Sequence, residues 1–251
     1  MIVAIDIGNT RIKWGVRRKE EAAHPGVWDD YGTLSTAQAE ELEKVVAHWP
    51  QKARVVLCNV AGPKVVATVE TLLAARGLQP HWLAATESAC GIRNSYHDPR
   101  QLGADRWAAL IGARSLDIGA CLVVCAGTAT TIDYLDSGGV FHGGMILPGL
   151  GLMRAALASG TAQLTLMEGS PELPPEPHGV WPKNTHDAIE RGCIAAQTGA
   201  IEHLRRGLPE EATLVLSGGA ASRLMPHLNV PARLVEKLAL EGLFHFARAL
   251  A

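Results

Sequence analysis

The chain has 251 residues, of which 47% are hydrophobic and 19% charged, a composition typical of a globular protein and unlike that of a disordered one. Lys and Arg total 23 against 25 for Asp and Glu, which gives neither the basic surface of a nucleic-acid-binding protein nor a polybasic membrane tail. No apolar run approaches the roughly 18–20 residues of a membrane-spanning helix, and the strand-like N-terminus does not resemble a signal peptide.

The five cysteines are odd in number, scattered along the chain and without a C-x-x-C pair: Cys58, Cys90, Cys121, Cys125 and Cys193. This pattern favours neither a disulfide framework nor a zinc site. A reducing cytoplasm is therefore the expected setting.

The N-terminal stretch predicts a tight hairpin. Ile2 to Ile7 is an apolar run with one carboxylate, typical of a strand buried on both faces, and Ile12 to Val16 alternates as a second strand would. Gly8-Asn9-Thr10 between them is typical of a turn. Such a hairpin could offer backbone N–H groups to phosphate, with Asp6 for Mg²⁺ and Lys13 as a cation, or it could be an ordinary buried hairpin.

The rest of the first half alternates between predicted strands and helices. Strands are expected at residues 26–34, 53–60 and 80–84, and helices at 37–49, 63–77 and from about 102 to 116, with the polar stretch 91–100 before the last helix. Asp117-Ile-Gly119 is the best candidate boundary.

The second half begins in the same way as the first. Strands at 120–126 and 130–135 enclose Gly127-Thr128-Ala129, and a further strand is expected at 140–147. Helices are predicted at 149–159, from Asn184 or Thr185 to 206, at 220–225 and from 238 onward, with a strand at 213–216 and a proline-rich loop at 170–182.

The similarity of the two strand-turn-strand starts, offset by about half the chain, indicates an internal repeat. Both halves read as three strands in a meander followed by helices and strands. The prediction is a duplicated α/β protein of mixed sheets flanked by helices, with a cleft between the halves 1–117 and 118–251.

Four motifs follow one another along the chain: Asp6-x-Gly8-Asn9-Thr10, Gly103-Ala-Asp105-Arg106, Gly127-Thr128-Ala129-Thr130-Thr131 and Gly143-Gly-x-Ile-x-Pro148-Gly149. Together, and in this order, they resemble the motifs of type III pantothenate kinases. The resemblance implies the duplicated ribonuclease-H-like fold of the acetate and sugar kinase, Hsp70 and actin superfamily. It also implies a homodimer that phosphorylates pantothenate with ATP in the first step of coenzyme A synthesis.

The resemblance assigns expected roles residue by residue. The first phosphate loop would be Asp6, Ile7, Gly8, Asn9, Thr10, Arg11, Ile12 and Lys13, and Thr128 would contact ATP from the second loop. Gly218 and Gly219 resemble the adenosine-side turn of the superfamily. Pantothenate would be held by Tyr96, Gly103, Ala104, Asp105, Arg106 and Thr185.

Asp105 would be the general base, since an ionised carboxylate within hydrogen-bond reach can accept the proton of the substrate hydroxyl. Arg106 could bind an anionic or carbonyl oxygen of the substrate. Structural alternatives stay open at this stage: Asp105 and Arg106 could form a surface ion pair, Thr185 a helix cap, and Tyr96 a turn contact, while Lys13 could face solvent.

One position departs from the family pattern. The second loop usually begins with an Asp that helps to hold a monovalent cation, and here Cys125 occupies its place. A neutral thiol is a poor ligand for K⁺, which prefers oxygen, so dependence on K⁺ or NH₄⁺ is in question.

Two other functions remain alternatives. A kinase of the same superfamily could act on another small acceptor, which the match at Tyr96 and Gly103–Arg106 disfavours. A non-catalytic regulator on the same fold would be expected to lose its phosphate and base residues or to carry a basic surface. Asp6, Lys13 and Asp105 are intact and the net charge is −2, so the kinase is preferred, with ATP and Mg²⁺ as cofactors and no nucleic-acid or membrane partner.

Overall fold

The computed structural model describes residues 1–18, 26–160 and 181–250. Most of the proline-rich loop predicted at 170–182 lies outside these residues. Within the described part of the chain, no helix is long and apolar enough to cross a membrane.

Twelve strands are seen within the described ranges. They are β1 (Ile2–Ile7), β2 (Arg11–Arg17), β3 (Asp30–Ser35), β4 (Arg54–Asn59), β5 (Pro80–Trp82), β6 (Ser88–Ala89), β7 (Ile92–Asn94), β8 (Cys121–Ala126), β9 (Ala129–Leu135), β10 (Val140–Pro148), β11 (Thr213–Ser217) and β12 (Ala232–Leu234). Seven α-helices accompany them: α1 (Glu43–Val46), α2 (Pro63–Ala74), α3 (Ala104–Arg114), α4 (Leu150–Gly160), α5 (Thr185–Arg206), α6 (Ala221–Leu224) and α7 (Leu238–Ala249).

The chain forms two compact units. The first comprises residues 1–119, 135–143 and 237–251, and the second comprises 120–134 and 144–236. The division into ribonuclease-H-like halves at residues 117 and 118 stays a prediction.

The first unit is built on a five-stranded mixed sheet in the order β3-β2-β1-β4-β5. β1 pairs antiparallel with β2 and parallel with β4. One face of the sheet carries Val3, Ile5 and Ile7 into an apolar core with the helices around Leu42 and Leu73. Successive side chains of a strand point to opposite faces, so Asp6 lies on the other face, where α7 packs on β1 and β4 and α3 packs on β4.

The predicted helix at 37–49 is only partly correct. A 3₁₀-helix runs from Thr36 to Leu42, with non-helical backbone at Gln38, and leads into the single α-turn of α1. Apolar side chains of this segment are buried, among them Leu42, Val46 and Trp49. The segment is therefore helical and packed, but mostly as a 3₁₀-helix.

A small hairpin replaces the first part of the polar stretch at 91–100. β6 pairs antiparallel with β7, and β7 pairs parallel with the first residues of β10, with Phe141 opposite Asn94. These strands have two and three residues, too few for an alternating pattern to be recognised.

The second unit contains strands in the order β12-β11-β8-β9-β10. β8 and β12 both run parallel to β11, and apolar residues of β8 and β11 pack with Ile194 and Ile201 of α5. Asn184 caps α5 by accepting a hydrogen bond from the Asp187 N–H (2.8 Å), so Thr185 is its first helical residue and not its cap.

Two glycines allow α3 and α7 to approach each other closely in the first unit. A Cβ on Gly112 would meet the backbone of Leu238 and Gly242, and one on Gly242 would meet the backbone of Ala108 and Gly112. The helices are therefore in backbone contact where they cross.

We predict that Gly112→Ala lowers the free energy of unfolding by about 1–3 kcal/mol or more, because the added methyl group overpacks against backbone that cannot rotate away. Gly199→Ala is the matched control. Its helical site on α5 has open space around the added methyl, and alanine there should be neutral or stabilising by up to about 1 kcal/mol. Chemical denaturation measures both, and equal stability of Gly112→Ala and wild type would contradict the close crossing.

Candidate active site

The first predicted phosphate loop is a tight hairpin turn. The Gly8 N–H donates to the Arg11 carbonyl (3.0 Å), closing the turn. Thr36 braces it from outside, since its hydroxyl donates to the Gly8 carbonyl (2.7 Å) and its N–H donates to the Thr10 carbonyl (3.0 Å). The turn is held in one shape by the strands it joins and by the residue that follows β3.

The carboxylate of Asp6 lies beside this turn and is almost fully buried, at 5% exposure. Asp6 is opposite Lys13 in the antiparallel register, and Lys13 Nζ lies 3.1 Å from Asp6 Oδ2. The alternative in which Lys13 only faces solvent is therefore wrong. A carboxylate and an ammonium group stand together at the mouth of the hairpin, as a site for Mg²⁺ and phosphate would require.

Asp105 lies in the first turn of α3, where a carboxylate is favoured by the helix dipole and by exposed N–H groups. Its Oδ1 accepts a hydrogen bond from the Arg106 N–H (2.8 Å). A Cβ on Gly103 would come within 2.7 Å of the same oxygen, so glycine leaves room for the carboxylate.

Burial raises the pKa of Asp105, and the negative charge of Asp6 raises it further, while the hydrogen bond from the Arg106 N–H opposes the shift. The two carboxylates are thus close enough to interact electrostatically. A partly buried carboxyl group with a raised pKa is suited to act as a proton acceptor.

Arg106 and Tyr96 form a cluster behind Asp105. Arg106 is buried, and its Nη1 donates to the Tyr96 hydroxyl oxygen (3.1 Å). The guanidinium carbon lies 5.8 Å from the Tyr96 ring centroid and 5.9 Å from that of Phe141. The alternative of a surface ion pair between Asp105 and Arg106 does not hold, because Arg106 is enclosed by aromatic rings.

Asn94 positions Tyr96. Its Oδ1 accepts from the Tyr96 N–H (3.0 Å), and its amide nitrogen donates to the Pro99 carbonyl (3.3 Å). The Tyr96 ring lies 5.3 Å from that of Phe141. Tyr96 therefore makes the turn contact that was its structural alternative. Its hydroxyl also contacts Arg106.

The second predicted phosphate loop lies in the second unit, between β8 and β9. The Gly127 N–H donates to the Ala129 carbonyl (3.0 Å), and the Gly149 N–H donates to the Thr128 carbonyl (2.9 Å). A Cβ on Gly149 would collide with the backbone of Gly127 and Thr128. The predicted motif that ends at Gly149 therefore supports the Thr128 turn.

The Gly218-Gly219 turn stands next to this loop. Gly218 has φ +94°, and a Cβ there would collide with the backbone of Ala126. The Ala220 N–H donates to the Ala126 carbonyl (3.0 Å). The predicted adenosine-side turn and the second phosphate loop are in direct contact within this unit.

Cys125 is the penultimate residue of β8, in parallel register with Ser217. Thr185, expected to touch pantothenate, is exposed at the start of α5 in the same unit. Among the described residues, no three His, Cys, Asp or Glu side chains are grouped as a ready-made metal site.

One participant was missed by the sequence analysis. Cys58 on β4 donates a hydrogen bond from its thiol to Asp6 Oδ1 over 3.5 Å. Its apolar sequence context suggested only a buried thiol. Its place next to Asp6 follows from the parallel pairing of β1 with β4, which a single sequence does not reveal.

Comparisons with known proteins identify the family of the chain. The family profile of type III pantothenate kinase matches residues 2–206. This chain belongs to the type III pantothenate kinase family. A type III pantothenate kinase from Aromatoleum aromaticum is 48% identical over 250 residues, covering 99% of this chain and 98% of the relative.

Solved structures confirm the predicted fold class. One neighbour, described as a Baf family transcriptional activator from Campylobacter jejuni, has a TM-score of 0.62 at 20% identity and covers 99% of this chain and 98% of its own. Another, described as a 2-dehydro-3-deoxygalactonokinase from Sinorhizobium meliloti, has a TM-score of 0.60 at 15% identity and covers 100% and 99%. Both are similar in fold.

We predict that Asp105→Asn raises the free energy of unfolding at neutral pH. The raised pKa means that native Asp105 resists ionisation, so stability is lost as pH rises above the ordinary carboxyl pKa of about 3.9 and through the higher native value. The advantage of the variant should shrink as pH falls toward 4. Denaturation at both pH values measures it, with exposed Glu70→Gln on α2 as the control, expected to change little. A variant no more stable than wild type at pH 7 would contradict the raised pKa of Asp105.

Proposed function

We propose that this chain transfers the γ-phosphoryl group of ATP to the primary hydroxyl of pantothenate, giving 4′-phosphopantothenate for coenzyme A synthesis. The observation that carries the proposal is the Asp6–Lys13 pair beside the hairpin turn, in the same compact unit as Asp105, in a chain of the type III pantothenate kinase family. A candidate base and a candidate phosphate-loop carboxylate thus belong to one compact unit.

The segment from Asp6 to Lys13 would bind the phosphates of ATP. Its backbone N–H groups and the Lys13 ammonium are the donors, and the rigid turn limits the reorganisation needed on binding. Thr128 would contact the nucleotide from the second loop, and Gly218-Gly219 would lie on the adenosine side.

A kinase of this family and fold uses ATP with a divalent metal ion. The hard carboxylate oxygens of Asp6 fit Mg²⁺, which commonly takes one or two carboxylates together with water and substrate phosphate oxygens. When bound, the ion would neutralise charge on the phosphates. Asp6 is the residue that would hold it.

Asp105 would act on the acceptor side as general base. It accepts the hydroxyl proton as the pantothenate oxygen bonds to the γ-phosphorus, the bond from that phosphorus to the bridging oxygen breaks, and ADP leaves with the electron pair. Arg106, with Tyr96 at its guanidinium, would bind an oxygen of pantothenate, as would Thr185. Gly103 and Ala104 would border the substrate, with no Cβ on Gly103 to displace the base.

The monovalent cation of the family would have to be held differently here. Cys125 stands at the relevant position, and its sulfur does not match the oxygen preference of K⁺ or NH₄⁺. We propose that turnover of this enzyme depends little on either ion.

We propose further that the enzyme is cytoplasmic and has no nucleic-acid or membrane partner, in line with its net charge of −2 and its scattered cysteines. A homodimer is also proposed. Exposed apolar side chains on two consecutive elements, β10 and α4, provide a surface that a second copy could cover: Met145, Ile146, Leu152 and Leu157.

In a coupled assay of ADP release, pantothenate should elicit turnover by the wild type, and Asp105→Asn should lower kcat by about 100-fold or more through loss of the proton acceptor. Glu70→Gln serves as the active control. Absence of pantothenate-dependent turnover under any cation would reject the substrate. Near-full activity of Asp105→Asn would reject the base while leaving the substrate in place.

The same assay tests the cation. With K⁺ or NH₄⁺ replaced by Na⁺, the wild type should retain most of its turnover. Cys125→Asp should gain K⁺ dependence, because it restores a carboxylate at the cation position. Strong activation of the wild type by K⁺ would contradict the proposal.

The dimer predicts a solution mass of about twice 26.7 kDa by sedimentation at micromolar protein. Ile146→Glu should weaken association by about tenfold or more, because it buries a charge at the interface. Val27→Glu, at an equally exposed apolar residue elsewhere on the chain, is the control and should remain dimeric. A monomeric wild type would refute the assembly.

A further inference from the structure

Three neighbouring strands bring Lys13, Asp6 and Cys58 into one row across the sheet of the first unit. Asp6 is opposite Lys13 in the antiparallel pair β1–β2, and beside Cys58 in the parallel pair β1–β4. Register partners share a face of the sheet, so all three side chains project to the side on which α3 packs against β4. Asp105, in the first turn of α3, therefore reaches the same region.

Lys13 and Cys58 each contact a different oxygen of the Asp6 carboxylate. Lys13 Nζ lies 3.1 Å from Oδ2, and Cys58 Sγ lies 3.5 Å from Oδ1. Cys58 is only 1% exposed, so water does not compete freely for this hydrogen bond. A carboxylate held at both oxygens has one orientation.

The thiol acts as the donor because it stays protonated. A cysteine thiol with its ordinary pKa of about 8.5 is protonated at neutral pH, and a carboxylate oxygen only accepts, so the S–H is the donor in this contact. An S–H group is a weak donor, but it is neutral. It can therefore hold Asp6 without cancelling the negative charge needed beside a metal ion and phosphate.

We propose that Cys58 is a positioning residue for phosphoryl transfer, its S–H fixing the Asp6 carboxylate so that Oδ2 faces Lys13 at the phosphate turn. The inference rests on the proposed function of the hairpin. Cys58 is 1% exposed, and it would act through its hydrogen bond to Asp6. Its loss should let the buried carboxylate rotate and should weaken the response of nucleotide binding to Mg²⁺.

A purely structural role would give a different result. Cys58 is a small buried residue of a central strand, and truncating any such residue costs stability. Val56 is the matched control. It is fully buried on the same strand, and because it lies two residues before Cys58, its side chain projects to the same face. Val56→Ala should lower stability without changing the kinetic constants.

The experiment compares Cys58→Ala, Cys58→Val and Cys58→Ser with wild type and Val56→Ala. Calorimetry measures binding of the non-hydrolysable analogue AMPPNP with and without Mg²⁺, and the coupled assay gives kcat and KM for MgATP and pantothenate.

Cys58→Ala and Cys58→Val should lower kcat/KM for MgATP by about 3- to 20-fold and reduce the Mg²⁺-dependent gain in AMPPNP affinity. Cys58→Ser retains a donor and should stay within about threefold of wild type. Cys58→Val fills the space without a donor and keeps the test available where the alanine variant does not fold.

Two failures can be told apart. Wild type without pantothenate turnover would overturn the proposed function, and the AMPPNP comparison would then decide the role of Cys58 by itself. An active wild type whose Cys58→Ala and Cys58→Val variants keep both kcat/KM for MgATP and the Mg²⁺-dependent gain would overturn the positioning role alone. An equal loss in Cys58→Ser, or in Val56→Ala, would assign the effect to packing and overturn it as well.

Discussion

The position of the candidate base depends on a helix crossing in which the two backbones come into contact. Gly112 of α3 and Gly242 of α7 have no Cβ, and the backbone of the other helix occupies the space where a Cβ would lie. Backbone in contact cannot adjust by changing rotamers, so the crossing fixes how α3 lies relative to α7. Because α7 packs on β1 and β4, α3 is tied to the strands that carry Asp6 and Cys58. Placement of Asp105 is thus a consequence of packing far from its own side chain.

A buried ion pair secures α7 in turn. Arg17 of β2 donates to both carboxylate oxygens of Glu241, at 2.6 and 2.9 Å, and its guanidinium lies 4.3 Å from the ring centroids of Trp28 and Phe244. Such pairs add little net stability because both charges lose their hydration, yet leaving one unpaired costs several kcal/mol. We infer that the pair specifies the docking of α7, since a slipped helix would leave two charges buried and unsatisfied. The ion pair therefore serves to fix the position of α7 rather than to add stability.

Most of the architecture could be predicted because the hairpins, the helix caps and the apolar stripes are local features of the sequence. The hairpin from Asp6 to Lys13 and the helix from residue 238 onward were predicted and confirmed for this reason. Non-local partners could not be derived in this way. Cys58 becomes a neighbour of Asp6 only through a parallel strand pair, and Glu241 meets Arg17 across most of the chain. The enclosure of Arg106 by Tyr96 and Phe141 was also invisible, since the three residues come from separate segments.

The charges of the first unit bear on why the proposed phosphate-binding hairpin would need a metal ion as well as Lys13. Asp6 and Asp105 interact as like charges, and Lys13 is paired with Asp6. ATP would add the negative charge of its phosphates to this surplus. An additional lysine could restore neutrality but would compete for Asp6, whereas a divalent ion can bind a carboxylate and phosphate oxygens at the same time. A neutral thiol at Cys58 is consistent with this arrangement, because it orients the carboxylate and leaves its charge available to the ion.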